Sequence, residues 1–506
     1  MNRFLKNFEF EDTTPRTSPA ASDDSLLEQE KNQHIRNVFP SSPDELEGYR
    51  PMRVALVQTA AGLKPPSGGF RGNYASLLAL QKHGHMTMQF AWATRQDIYE
   101  AVAELKSAGR FSKQHFQRGT VQIFDKDSNS TPVTWTKFTN THGILCVTLD
   151  AETMIPTYPN PLQQEDAAAF IRTGSVPARA VPYMRWLQDH IIDFNATHVV
   201  FNDAFASVAT CNLLADIQAG IARVEVVHTL EQLPTGPYAG GISGGAQCPE
   251  ELRLFKELDG LIAVSKAVQR YAKDHCGLHA EMIPNHAWSY KDKETSDWPR
   301  YRSNFAKQNV VMINPAWVKG YDIFLAMARD NAQRKVENNW DALLDRPVYN
   351  FIAYLGWGSS PKMVQDLKAA GVKVEESVTD MEPVFDNMSV LIMPSLWQEA
   401  WGLSATEAQL RGIPVIASNV GGLQEAKRYV TPFINVNTVS GQERNEKGEY
   451  VIPVQDVKPW MKELDSLLTD KDRYEAVSHM AFYTTREWIR NFDVRGMEKY
   501  LLDVMK

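Results

Sequence analysis

Apolar and polar positions along this chain alternate in two registers: short continuous apolar runs, and stretches in which apolar residues return every three or four places. The sharpest example lies late in the chain. Val390, Leu391, Ile392 and Met393, bounded by Pro394, have the length and boundary of a buried strand. After a loop over 395–402, Leu403, Ala405, Ala408 and Leu410 follow helical spacing. Arg411 then places a cation in the last turn, and Gly412 stands just past it. Residues 414–417 predict a second buried strand, and Val420-Gly421-Gly422 opens a turn into another helix. Strand, loop, helix and strand form one unit of a doubly wound sheet, in which ligands sit at the carboxyl ends of the strands.

The same alternation begins at Arg53. The run RVALVQ predicts a strand, 59–72 a long Gly/Pro loop, and 73–80 the helix behind it. Strands follow over 86–92, 121–125 and 142–149, with a helix over 98–105. Residues 151–177 read as a proline-rich connection. Beyond it come a helix over 181–192, a strand over 198–202, a helix opened by Asp203, and a strand over 224–228. A strand over 261–264, a helix from Lys266 and a segment ending at Asn285 complete the first half. The polar stretch 291–302 marks a linker, and 310–314 opens a second alternating region that ends in helices from Asp456, Lys471 and Met497. The expected organisation is therefore a polar extension over 1–50, within which 26–38 has the make-up of a short helix, and a domain over 51–290. A linker over 291–308, a second domain over 309–485 and a terminal helical segment over 486–506 complete it.

Composition narrows the classes. A chain of 506 residues suggests about three domains, or two large ones plus extras, and its 43% hydrophobic and 23% charged residues suffice for full cores. A net charge of -8 argues against nucleic acid as the main partner, which calls for a basic stripe. No apolar run reaches the roughly 18 residues needed to span a bilayer, and the amino terminus has no apolar signal-like core. Cys146, Cys211, Cys248 and Cys276 are too scattered for a zinc site or a disulfide framework. A cytoplasmic location is the expectation.

Two carboxylates mark the chemistry of the late unit. Glu399 stands in the loop at the mouth of the helix, and Glu407 a turn inside it. The backbone N–H groups of Ala400, Trp401, Gly402 and Leu403 lie between them, at a helix start beside a glycine, which favours an anion. A ligand with hydroxyls at both ends and a diphosphate between them fits, and a nucleotide sugar is such a ligand. In the first half, Gly68, Gly69 and Gly72 precede a helix and permit close backbone approach to a phosphate or sugar. Arg71 either adds a charge there or lies in solvent. Asp203 stands at a strand end as a helix cap or an acceptor contact. His228 closes the 224–228 strand as a ligand contact or a structural histidine, and the glycine-rich stretch after it, with Gly240 and Gly241, reads as a mobile lid. Asp125-Lys126-Asp127 recurs as Asp470-Lys471-Asp472 and reads as a surface turn in both places.

The Glu399-x7-Glu407 pair, set in PSLWQEAWGLSATEAQLRGIPVIASNVGG, resembles the signature of the family-4 retaining glycosyltransferases. The resemblance implies the GT-B fold: α/β, with two Rossmann-like domains facing across a cleft and a C-terminal helix crossing back to the first. It implies transfer of a hexose from a UDP- or GDP-sugar to a hydroxyl of a small-molecule or saccharide acceptor, with retention, no metal and no cofactor beyond the donor. In that family the first Glu lies by the sugar hydroxyls, the second holds the ribose, and the intervening amides face the diphosphate. Carried onto this sequence, Glu399, Lys319 and His228 are the catalytic candidates. Glu407, Trp401, Gly402, Leu403, Asn314, Gly68 and Gly69 bind the donor, while Arg71, Asp203, Gly240 and Gly241 serve the acceptor or a lid. This chain departs from the pattern twice. Asn314 stands where the family has an Arg, so either another base substitutes or Lys319 carries more of the charge, and His286 replaces a glycine. The alternatives are a disaccharide phosphorylase on the same fold and a nucleotide-sugar-binding protein without turnover.

Overall fold

The structure, a computed structural model, describes residues 51–505 apart from 64–66, 214–219, 240–248, 287, 289–297, 342, 357, 379, 429 and 447. Residues Met52–Lys506 form one compact unit built on two sheets. The expected helix over 26–38 and the lid glycines Gly240 and Gly241 lie outside the described residues.

The first sheet contains β1 (Arg53–Ala61), β2 (Met86–Ala93), β3 (Gln117–Phe124), β4 (Ser130–Thr139), β5 (Leu145–Asp150), β6 (His198–Phe201), β7 (Ala222–Val227), β8 (Gly260–Ala263) and β9 (Glu281–Met282). Its order is β3-β4-β5-β2-β1-β6-β7-β8-β9. All neighbours pair in parallel except β3 with β4 and β4 with β5. Successive residues of β1 feed opposite faces. Ala55 and Val57 enter a core with the helices Asn160–Thr173, Val181–Asp193 and Ala204–Leu213, while Val54 and Leu56 enter one with Leu77, Leu80 and Val268. That two-sided burial is why the parallel strands read as continuous apolar runs.

The second sheet holds β10 (Asn309–Ile313), β11 (Asn350–Tyr354), β12 (Lys373–Glu375), β13 (Val390–Met393), β14 (Val415–Ser418) and β15 (Phe433–Ile434), all parallel, in the order β12-β11-β10-β13-β14-β15. It too is covered on both faces, with Val310 and Met312 packed beside Phe324 and Trp460, and Val311 beside Ala405 and Leu423. The helix Lys471–Arg490 leads to the last helix, Gly496–Val504, which sits on the first sheet's core through Met497 and Leu501. Leu261 N–H donates to Tyr500 Oη at 2.9 Å, and His198 Nε2 lies 2.8 Å from the Leu501 carbonyl. The chain thus crosses back to the first sheet, as the GT-B pattern expects.

Three local expectations need correction. The 151–177 segment is not a connection but two helices, Ala151–Thr157 and Asn160–Thr173. Proline is tolerated in a first helical turn, where its missing N–H has no partner to lose, and the second helix has one there. The 59–72 loop is also shorter than expected, because β1 runs to Ala61 and the next helix spans Gly68–Lys82. An antiparallel hairpin, β3–β4, adds a strand where one had been expected. Its turn contains Asp125, whose carboxylate accepts from the N–H groups of Asp127 and Asn129, so this D-x-D is a turn.

Candidate active site

The carboxyl ends of both sheets border one cavity of about 720 Å³. On its first wall, Ser67 caps the Gly68–Lys82 helix by accepting from Phe70 N–H at 3.3 Å. On the second, Gly402 opens the Leu403–Gln409 helix with φ +101, a left-handed conformation that favours glycine. The two helix starts abut. A Cβ on Gly68 would lie 2.2 Å from Leu403 Cδ1, and one on Gly69 would lie 2.9 Å from His228 Cγ. The glycines expected in a loop are therefore the first helical turn, left bare so that the second wall and His228 can approach. Two positive helix ends border the same space.

Lys319 ends a tight turn after β10, and its Nζ lies 2.6 Å from Glu399 Oε1, with both side chains largely buried. Gly320 has φ +78 and lies so close to the Pro394 carbonyl that a Cβ would stand 1.9 Å from it. The turn that aims Lys319 therefore demands glycine. Asn314, with φ +56, turns its Oδ1 to the Gly358 N–H at 3.2 Å and lines the cavity. Among the described residues lining the cavity, Lys319 is the sole Lys or Arg. Among the described residues of this wall, none substitutes for the Arg.

Trp401, Gly402 and Leu403 line the cavity, and the Trp401 side chain is buried. Its indole N–H donates to Thr406 Oγ1 at 3.0 Å, and its ring lies 5.3 Å from both His286 and Trp488. His286, where the family has glycine, thus packs the end of the first half against the second. Burial, with Arg428 nearby, pushes the His286 pKa down to about 3.

His228 reaches the cavity from the end of β7. Its Nε2 lies 2.8 Å from Asn73 Oδ1, which also accepts from Asn285 Nδ2 at 2.6 Å. Burial lowers its pKa to about 4, so the ring is neutral at neutral pH. Arg71 and Glu407 meet elsewhere. Arg71 Nη2 lies 3.0 Å from Glu407 Oε1, joining the Gly68–Lys82 and Leu403–Gln409 helices, and neither residue lines the cavity. Asp203 also stands apart. It accepts from Ala206 N–H at 2.8 Å and Thr59 Oγ1 at 3.2 Å, which is a helix-capping role. Burial raises its pKa, opposed by those hydrogen bonds.

Glu231 also lines the cavity, just after His228. Burial raises its pKa, opposed by hydrogen bonds from its own backbone N–H and the Thr229 hydroxyl. The sequence held one usable signal for it, an acidic residue three places after the strand-end histidine, but the glycine-rich stretch behind masked it.

Residues 316–470 match the model of the family described as glycosyl transferases group 1. The chain also superposes on sucrose-phosphate synthase (tll1590) from Thermosynechococcus elongatus, with a TM-score of 0.53 at 14% identity, covering 89% of this chain and 97% of that one. HepE of Anabaena, in complex with UDP and glucose, gives 0.51 at 14% identity, covering 89% and 98%. These likenesses establish the GT-B fold. Among curated sequences, a D-inositol 3-phosphate glycosyltransferase from Corynebacterium urealyticum is 30% identical over 129 residues, 24% of this chain. An uncharacterized 41.2 kDa protein in the cps region of Klebsiella pneumoniae is 52% identical over 46 residues, 9% of this chain. The matches span 26% and 13% of those two relatives' lengths.

Proposed function

We propose that this protein is a retaining, metal-independent glycosyltransferase that moves a hexose from a UDP- or GDP-sugar to a hydroxyl of a small-molecule or saccharide acceptor in the cytoplasm. One observation carries the reading: two helix starts from opposite walls, Gly68 and Leu403, border a cavity that also holds Lys319 paired to Glu399. Backbone N–H groups and an ammonium suit a departing diphosphate, and a charge that develops at departure is best stabilised by donors already fixed in place. Glu399 then orients the sugar hydroxyls, while Lys319 holds the phosphate oxygens beside them. His228, neutral and fixed by Asn73, contributes a hydrogen bond at the sugar. Glu407 serves the ribose once Arg71 shares or yields its carboxylate. The departing diphosphate takes the acceptor proton from the same face, which retains configuration. Among the described residues no helix is long and apolar enough to cross a membrane.

Calorimetric titration with UDP-glucose, UDP-galactose, GDP-mannose and the free diphosphates tests the reading. Binding of a sugar nucleotide, weakened about tenfold or more in Glu407→Ala, is the expected result. A chain that binds none of them is not this enzyme.

A further inference from the structure

The walls of the cavity meet where the helices Gly68–Lys82 and Leu403–Gln409 begin. A Cβ on Gly68 would lie 2.2 Å from Leu403 Cδ1, and Arg71, one turn on, is paired with Glu407 at 3.0 Å. A diphosphate lying between those helix starts needs the walls to part by the thickness of a phosphate. The contacts that hold the walls together therefore govern access to the site.

One of these contacts is built from a side chain of the second half and fixed backbone donors of the first. Glu425 follows the Gly421-Gly422 turn, in the helix Leu423–Lys427. Its Oε2 accepts from the Lys266 N–H and its Oε1 from the Ala267 N–H, each at 3.0 Å. These N–H groups open the helix Lys266–Cys276, which follows β8, and Val264 just before it lines the cavity. A carboxylate on a helix start gains both charge-assisted hydrogen bonds and the favourable end of the helix dipole. Its donors cannot swing aside, whereas the Arg71 side chain is 45% exposed and free to exchange its partner for water.

Glu425 is also coupled to the loop that carries Glu399. Gly422 N–H donates to the Glu399 carbonyl at 2.6 Å, and a Cβ on Gly421 or Gly422 would stand 2.2 Å from the Glu399 or Ala400 carbonyl. The loop and the turn before Glu425 thus fit without slack. Further along the Lys266–Cys276 helix, Tyr271 Oη accepts from Tyr238 N–H at 2.8 Å, and the Tyr238 ring packs edge-on against Trp397 at 4.7 Å. That helix is therefore the element by which the first half docks on the second.

We infer that Glu425 is the clasp between the two halves, a positioning residue that holds the Glu399 loop against the first wall and releases it when a sugar nucleotide enters or leaves. The inference rests on the transferase reading for the ligand, and adds to it the group that controls closure. A donor that touches both walls is bound fully only in the closed arrangement, so its apparent affinity scales with the closed fraction.

The test uses the full chain and whichever of UDP-glucose and GDP-mannose binds it by calorimetry. Glu425→Ala should enlarge the radius of gyration of the free chain in small-angle X-ray scattering, and saturating donor should restore the parent value. Donor Kd should rise about tenfold, the effect of a closed fraction that falls to about a tenth. Glu425→Gln, which keeps one accepting oxygen, should recover part of the affinity. Lys266→Pro breaks the same contact from the other side. Proline is tolerated at the first helical position, and Ser265 before it is already extended, so one donor is lost while the helix remains. This variant should raise donor Kd about threefold in the parent and have no further effect in Glu425→Ala, where the contact is already gone. A parent-like radius and donor Kd in Glu425→Ala, additive effects of the two substitutions, or an enlargement that donor does not reverse would overturn the proposal. If neither donor binds the parent, the transferase reading fails, while scattering from the free Glu425→Ala chain still decides the clasp.

Discussion

Replacing Lys319 with alanine removes the one Lys or Arg among the described residues of the cavity wall and leaves Glu399 without its 2.6 Å partner. Two unit charges 4 Å apart interact by about 4 kcal/mol at an effective dielectric of 20, and removal of a single fixed oxyanion donor typically costs about 3–4 kcal/mol. The variant should therefore lose roughly 10²–10³ in kcat, at about 1.4 kcal/mol per decade. Donor Kd should change much less, because the diphosphate gains charge as it departs and the ammonium acts most at that stage. The assay is nucleotide release under saturating donor. Part of the loss could come from stranding the Glu399 carboxylate, and Lys319→Ala,Glu399→Gln separates the two effects. If the double variant regains parent kcat, the lysine acts only as a counter-ion to Glu399. A single variant within about threefold of the parent in kcat would equally refute the argument.

Three further outcomes follow from the geometry. Glu407→Ala should weaken donor binding about tenfold or more, as loss of a charged hydrogen bond does, whereas Arg71→Ala, a half-exposed partner, should change stability by less than about 1 kcal/mol; calorimetry and denaturant titration read the two, and equal donor loss in both would shift the ribose contact to Arg71. Gly72→Ala should cost about 1–3 kcal/mol in urea unfolding because its Cβ would stand 2.1 Å from the Asn285 carbonyl, while Gly496→Ala, with nothing within 4 Å, should be neutral. The His286 pKa is depressed in the fold, so the unfolded chain takes up a proton as pH drops below 6.5 and the fold does not until about pH 3. Stability is therefore lost as pH falls through that window, by about 2 kcal/mol at pH 5 from this residue, and His286→Phe should remove that share of the slope between pH 7.5 and 5.

Continuous apolar runs made the parallel strands readable, because a strand buried on both faces has no polar alternation to blur it. The 390–426 unit was legible for the same reason, reinforced by Pro394, Gly412 and the Gly421-Gly422 turn. Local composition misled where tertiary packing decides. Gly68 and Gly69 look like loop residues, but they are helical and bare because Leu403 and His228 leave no room for a Cβ. Pro159 and Pro161 look like breakers, yet one caps a helix and the other occupies its first turn. Pairings between distant residues were not legible at all. Arg71 with Glu407 and His228 with Asn73 are separated by 336 and 155 positions, and only the folded cleft brings them together.

A crystal structure of the chain with bound UDP tests the central claim most directly. The account predicts the diphosphate between the start of the Gly68–Lys82 helix and the N–H groups at 401–404, with Lys319 Nζ within salt-bridge distance of a phosphate oxygen. A nucleotide bound elsewhere, or a diphosphate with Lys319 still held solely by Glu399, would contradict it.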